Sequence, residues 1–520
     1  MIDLKKLPAS AKTVLLGLAG LAVAGGGWCI AQLGPEDGEG DAGPPGIEDA
    51  APTPSDGGQL FDGGIGNVPP LPSTWDCSPG PGTDYQVGPG QSYSMDTVPW
   101  TILGPGDTVR VHWQAEPYRR RILISTKGAV NQPIKLCGMP GPDGQRPILD
   151  GEGSTPAALA GFRKPEHANL GMILLYASTA GDWDTRPAWV EIEGFEIRHA
   201  FSDYGNWSEG AAGVRINDGG DDVSVRANII HDNSNGIFMS STGPGNFLAE
   251  RLLVEGNELY NNGGKASDSA RSHQMYIQGV HTVVQANYIH DSRPGGNGTS
   301  IKDRSPGTII RYNWISGGVI SIDLVEPQEH YDAVKDMPDY DTAEVYGNII
   351  ITTGDVGRSI HFGQDVSDHA RKGPLYLWNN TFHFQSSPTA WDVAMLDLDH
   401  PEGVAYANNN ALWRDGGRAD GPGITLIQDA GTLYLGTNAI GPKWVDKKNP
   451  AWPSSVVGTD QIISIAESGW APGTYKPTVG SVLGNAAGPL DTHMFPPSLQ
   501  YKMHADVEAR MSATSLGALQ

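Results

Sequence analysis

The chain is poor in cysteine, in basic residues and in long apolar runs. Three cysteines stand among 520 residues, and no Cys-x-x-Cys or Cys/His spacing accompanies them, which argues against a zinc site. Lys and Arg total 35 against 59 Asp and Glu, for a net charge of −24. That balance disfavours wrapping a nucleic-acid backbone, so no nucleic acid is expected as a partner. Past the N-terminus no apolar run reaches about 20 residues, which argues against a polytopic membrane protein. Gly and Pro are abundant instead, at 69 and 39 residues. Both break helices, so a helical bundle or coiled coil is disfavoured as well.

Lys5, Lys6 and Lys12 precede the apolar run Val14–Ala24. A basic segment followed by a short apolar one matches an export signal. The preferred reading is a signal peptide, residues 1–24, cleaved after Ala22-Val23-Ala24, which makes the protein secreted or cell-surface. A lipidated Cys29 ranks second, because bulky Trp28 precedes it. An uncleaved anchor ranks third. Any membrane tether is expected through the N-terminus only. Residues 25–76 read as a disordered acidic Gly/Pro-rich linker: residues 34–76 hold nine acids and no Lys or Arg. Residues 77–520 remain as the folded domain, expected to be a monomer. In an exported chain Cys77 and Cys137 can form a disulfide, with two buried thiols as the alternative.

The domain repeats. Asn228, Asn257, Asn287, Asn313, Asn348, Asn380 and Asn410 each open a short apolar segment, at steps of 29, 30, 26, 35, 32 and 30 residues. Gly194 extends the series backward, with Gly in place of Asn. Before each Asn lies a second short strand, such as Thr282-Val-Val-Gln, and before that a third, such as Met275-Tyr-Ile-Gln. Three strands per repeat describe one coil of an all-β, single-stranded right-handed parallel β-helix, a solenoid. One coil cannot bury its apolar face alone, but stacked coils can. Asn suits a sharp bend because it tolerates left-handed backbone and bonds nearby main chain. Stacked Asn amides are expected to bond one another in a ladder, a structural role.

About residues 97–520 resemble secreted β-helix proteins of the polysaccharide-lyase type. Ile102-Leu-Gly-Pro-Gly-Asp-Thr-Val-Arg-Val is similar to their opening, and Glu508-Ala-Arg-Met with Ser515-Leu-Gly-Ala-Leu to the closing segment of many bacterial β-helix repeat proteins. Thr299 to Asn313 looks like the central coil of the alginate lyase and chondroitinase B group. That coil carries a calcium-binding Glu and a catalytic Lys before its Asn. Counted back from Asn313, the Lys position falls on Arg304 and the Glu position on Thr299, while an Arg expected on the next coil falls near Asp323. The departures leave two readings, Lys302 in a shifted register or a relative with different chemistry, and Arg304 stays a candidate because the resemblance extends to pectate lyases, among which an Arg base occurs.

Strand alternation places candidate chemistry on one outer face. With Met275, Ile301, Ile320 and Ile360 inward, Tyr276, Gln278, Lys302, Arg304, Ser321, Asp323 and His361 point outward, followed by Asp397 and Asp399. Residues 265–311 hold six basic side chains (Lys265, Arg271, Arg293, Lys302, Arg304 and Arg311) against three acids, which suggests a local anion site. A β-eliminating lyase needs a cation to neutralise a uronate carboxylate, a base for the C5 proton and an acid for the leaving oxygen. Lys302 or Arg304 meets the first need, and a Lys302 of lowered pKa is a candidate base. His273, Tyr276 and His361 are candidate proton donors. Gln278, Arg271, Arg293, Asp323 and Asp397 are candidate substrate contacts. Calcium is the one cofactor considered, with Asp218, Asp221, Asp222 or Asp323 and Glu326 as oxygen donors. Neither set is assigned.

The leading expectation is therefore an exported lyase acting on an acidic polysaccharide, with Lys302→Ala and Arg304→Ala each abolishing activity without unfolding the domain. A glycoside hydrolase using Asp323, Asp397 and Asp399 is the alternative, and a non-catalytic glycan-binding surface module the third.

Overall fold

Short runs of β-branched and aromatic residues fold into three long parallel sheets of 14, 11 and 10 strands. The computed structural model describes residues 77–520 except 158–164, 178–185, 202–210, 218, 242–247, 264–271, 296–297, 354–355, 366–367 and 391. The expected signal peptide, Cys29, the linker, Asp218, Lys265 and Arg271 lie outside the described residues.

Sheet 1 contains Gly220–Arg226, Leu253–Glu255, Val283–Gln285, Thr308–Arg311, Ala343–Tyr346 and Leu375–Trp378. Sheet 2 contains Ile229–His231, Glu258–Tyr260, Tyr288–His290, Trp314–Ser316, Ile349–Thr353 and Thr381–Gln385. Sheet 3 contains Asn235–Met239, Met275–Ile277, Ile301–Asp303, Ile320–Leu324, Val356–Phe362 and Asp392–Leu398. The chain visits the sheets in the order 1, 2, 3 and then starts the next coil, so each strand pairs in parallel with its counterpart one coil later. This is the expected right-handed parallel β-helix.

Each strand of a coil sends apolar side chains inward, where they stack on those of the neighbouring coils. Val284 and Ile310 from sheet 1, Ile289 and Ile315 from sheet 2, and Met275, Ile301, Ile322, Ile360 and Leu396 from sheet 3 have no exposure and share one core. Each such side chain contributes about 1.5–3 kcal/mol by leaving water. The inward partner of Ile301 is Ile322, not Ile320. The two have the same parity, so the outward set is unchanged.

The expected Asn ladder runs along the bend from sheet 1 to sheet 2. From Asn228 to Asn438 each amide Nδ2 donates to the Oδ1 of the next Asn at 2.9–3.2 Å. The same Oδ1 also accepts the backbone N–H of the preceding Asn, at 2.9 Å for Asn313 with Asn287. Two details differ from expectation. From Asn228 to Asn410 the left-handed residue is the one before each Asn, such as Ala227, Ala286, Tyr312 and Asn379. Phe195, not Gly194, holds the ladder position in the earlier coil: its N–H donates to Asn228 Oδ1 at 3.0 Å, while Gly194 takes the left-handed conformation. The bend needs a residue tolerant of positive φ next to an amide, and these are two adjacent positions.

Cys77 and Cys137 form a disulfide, with Cα atoms 5.8 Å apart. The C-terminal segment runs along the outside of the ladder bend. Met494 and Val507 pack on Tyr312, Tyr346 and Trp378, and Gly517 N–H donates to Asn409 O at 2.8 Å. These contacts leave sheet 3 as the face that carries the site.

Candidate active site

Strand pairing sets Phe238, Tyr276, Lys302, Asp323, His361, Asp397 and Gln428 in one row across seven coils on the outer face of sheet 3. Adjacent members are about 4.8 Å apart at the backbone. Phe238 and Tyr276 stack with ring centres 5.0 Å apart, and Arg215 lies 4.1 Å above the Phe238 ring.

The middle of the row is a chain of ion pairs. Lys302 Nζ donates to Asp323 Oδ2 at 2.6 Å and lies 2.9 Å from Asp365 Oδ2. His361 bonds Asp323 Oδ1 through Nδ1 and Asp399 Oδ2 through Nε2, both at 2.6 Å. Arg304, two residues past Lys302, donates from Nη2 to Asp365 Oδ2 at 2.6 Å and from Nη1 to the Glu326 carbonyl at 2.9 Å. Its Nε donates to Tyr276 Oη at 3.1 Å, and Gln278 Nε2 donates to the same oxygen at 2.8 Å. With two N–H donors on the phenol oxygen, the Tyr276 hydroxyl proton is left free to be given away.

These contacts fix the charge states. Burial disfavours the Lys302 ammonium, but Asp323 and Asp365 outweigh burial and raise its pKa. Lys302 is thus held as a cation, and the lowered pKa that the alternative role as a base requires is not found. Crowding by Arg304 is weaker than the pull of the carboxylates because acids from later coils close in on it. Arg304 is likewise held protonated: burial opposes its charge, and Tyr276, Asp365 and Glu326 outweigh it. Burial also opposes the charge of His361, but Asp323 and Asp399 raise its pKa well above the ordinary value. Asp323 is buried too, yet Lys302 and His361 hold its pKa far below the usual range.

The other candidates divide. His273 stacks on Tyr276 at 5.6 Å, and its Nδ1 accepts the Thr299 N–H at 3.1 Å. Burial first, and then Lys302, pushes its pKa down to about 3, so it is a neutral buffer behind Tyr276 and not an acid. Gln278 joins Tyr276 to Glu329. Burial, reinforced by Asp429, pushes the Asp397 carboxyl up to about 8; it is sealed from solvent and bonded by Gln428 and Arg358. An acid that substrate cannot reach does not protonate a leaving group. Arg293 contacts Asp232, Asn261 and Phe201, none of them in the row. Arg311 sits on sheet 1, bonded to Gln285 and Tyr346.

Two expectations therefore change. The basic window of residues 265–311 is not a free anion site, because Asp323, Glu326 and Asp365 answer Lys302 and Arg304. Tyr276 and His361 do share a row, but three strand spacings, roughly 14 Å, separate their backbones. His361 lies in a neighbouring stretch of the row, joined to Lys302 through Asp323.

Among the described residues, the carboxylates of both calcium sets already have cationic partners. Asp221 pairs with Arg186 and Arg251, Asp222 with Arg251, Asp323 with Lys302 and His361, and Glu326 with Arg304. Donor atoms of His361, Asp397 and Asp399 lie within 4.8 Å of one another. A protonated imidazole offers a metal no lone pair, however.

The residues that sequence reading missed are Asp365, Glu329, Arg358 and Gln428. Gln428 continues the row and was within reach of the repeat. Asp365 lies in the turn after Val356–Phe362, where no periodicity marks it.

No protein-family model and no curated protein matches the chain. Among solved structures, it is similar to an alginate lyase from Paenibacillus sp. str. FPU-7, at 14% identity over 64% of this chain and 92% of that one, with a TM-score of 0.36. It is also similar to a DFA-IIIase from Arthrobacter chlorophenolicus A6, at 14% identity over 69% and 78% of the two chains and a TM-score of 0.36. A tailspike protein mutant of E. coli bacteriophage HK620, in complex with a pentasaccharide, matches at 12% identity over 74% and 60%, with a TM-score of 0.44.

Proposed function

We propose that this chain is an exported polysaccharide-active enzyme that cleaves an acidic glycan by β-elimination. The observation that carries the reading is the cluster of Tyr276 and Lys302, neighbours in one outward row, with Arg304 two residues past Lys302. An extended polymer can lie along such a row, with successive sugars meeting successive coils. Two fixed cations then face a substrate carboxylate and stabilise the charge that develops when the C5 proton leaves. Tyr276, bonded to Arg304 and Gln278, gives its proton to the leaving glycosidic oxygen as the C4–O bond breaks and the C4–C5 double bond forms, while the C5 proton passes to solvent water. His361 and Asp399 meet the chain further along. The Cys77–Cys137 bridge supports export, since such bonds persist in oxidising compartments.

Hydrolysis is the second reading. It is favoured by Asp365 and Asp399, whose carboxylates both reach solvent on this face. Incubation with alginate, pectate and glycosaminoglycans separates the two. Ultraviolet absorbance of an unsaturated uronate supports elimination, and new reducing ends without that absorbance support hydrolysis. Binding without products leaves a glycan-binding module.

A further inference from the structure

Asp365 is unlike the other acids of the site. Asp323 and Glu326 are buried behind Lys302 and Arg304, whereas the Asp365 side chain is 35% exposed and approaches the two cations from the solvent side. One of its oxygens, Oδ2, lies 2.9 Å from Lys302 Nζ and 2.6 Å from Arg304 Nη2. Its Oδ1 has no partner among the described residues. The Asp365 backbone N–H donates to Glu326 Oε2 at 2.8 Å, which ties the turn to the same cluster. The two cations are held in place without it: Lys302 by Asp323, and Arg304 by Tyr276, the Glu326 carbonyl and the Glu326 carboxylate. Among the described residues, their solvent-side ligand is thus a carboxylate that the chain itself supplies.

We propose that Asp365 is an intramolecular stand-in for a substrate carboxylate, occupying the Lys302–Arg304 cradle until a uronate displaces it. Exchange of one carboxylate for another keeps the charge of the cluster constant. It also avoids leaving two buried cations bare, which is the costly state. The cradle therefore selects a sugar acid over its neutral counterpart, and free protein binds below its intrinsic affinity because most molecules are self-occupied. This deepens the acidic-glycan reading and rests on it; it is compatible with elimination and takes Asp365 out of the hydrolytic pair.

The test is calorimetric titration of the full chain and of Asp365→Asn with polygalacturonate, with alginate, and with the carboxyl-reduced form of each. Removing the charge should tighten binding of an acidic polymer about tenfold and leave its reduced form unchanged. Asp365→Glu, which restores a carboxylate, should return affinity toward that of the parent, and this variant controls for misfolding. Unchanged or weaker binding of the acidic polymer by Asp365→Asn overturns the stand-in role while the acidic-glycan reading survives. Equal tightening for acidic and reduced polymers also overturns it, since the gain then does not depend on the charge of the ligand. If no acidic polymer binds any of the three proteins, both readings fall together.

Discussion

His361 donates from Nδ1 to Asp323 Oδ1 at 2.6 Å, across neighbouring strands of sheet 3. The opposite nitrogen faces Asp399, so both ring nitrogens are donors and the ring is a cation. Its pKa is raised in the fold, so the stabilisation is fully present below the unfolded value of about 6.5 and is lost as pH rises through the folded value. His361→Gln should therefore be less stable near neutrality, and its melting temperature should fall less than the parent's as pH rises above about 6.5. Parallel melting curves for the two proteins over that range would refute the linkage.

Tyr276→Phe removes one oxygen from the cluster. If Tyr276 transfers the proton, turnover on the cleaved glycan should drop by roughly 10²–10⁴. The melting temperature should stay within a few degrees, because the ring still stacks on Phe238. Undiminished turnover would remove Tyr276 from the chemistry.

Lys302→Ala should lose activity, but it should also lose stability, contrary to what sequence alone suggests. Deletion leaves buried Asp323 facing His361 alone and costs about 3 kcal/mol. Urea unfolding measures this directly. A variant as stable as the parent would mean that the Lys302–Asp323 pair is worth nothing in the fold.

Asn313→Ala strikes the middle of the ladder. Its Oδ1 accepts from Asn287, and its Nδ2 donates to Val284 O, Arg311 O and Asn348 Oδ1. Several buried polar groups then lose partners at about 1–3 kcal/mol each. Asn438→Ala, at the end of the ladder, should cost less. Equal midpoint shifts in urea for the two variants would contradict a cooperative ladder.

Asp303 is an acid in a core-facing position, between Ile277 and Leu324 in register. Ser305 N–H and Thr308 Oγ1 bond it, yet burial pushes its carboxyl up to about 6. A raised carboxyl stabilises the fold below its unfolded value and loses that contribution as pH rises through the folded one. Stability should decline by about 3 kcal/mol between roughly pH 4 and pH 7, and Asp303→Asn should flatten the decline. An identical slope in the variant would place the titration elsewhere.

Much of this molecule is written in local pattern. The Asn spacing, the three strand families and the alternation within Met275–Ile277 and Ile301–Asp303 determine the solenoid and the row holding Tyr276, Lys302 and His361. Side-chain alternation and coil length suffice for that, because each coil repeats the geometry of the last. The charge states belong to tertiary structure alone. Asp365 reaches Lys302 across 63 positions of sequence and Glu326 reaches Arg304 across 22. A net charge counted along a window cannot see such partners, since Coulomb interaction depends on distance through space and on burial. So the sequence determined which side chains share a face, and the folded chain decided which of them remain cations, which are sealed, and which carboxylate stands where a substrate's would.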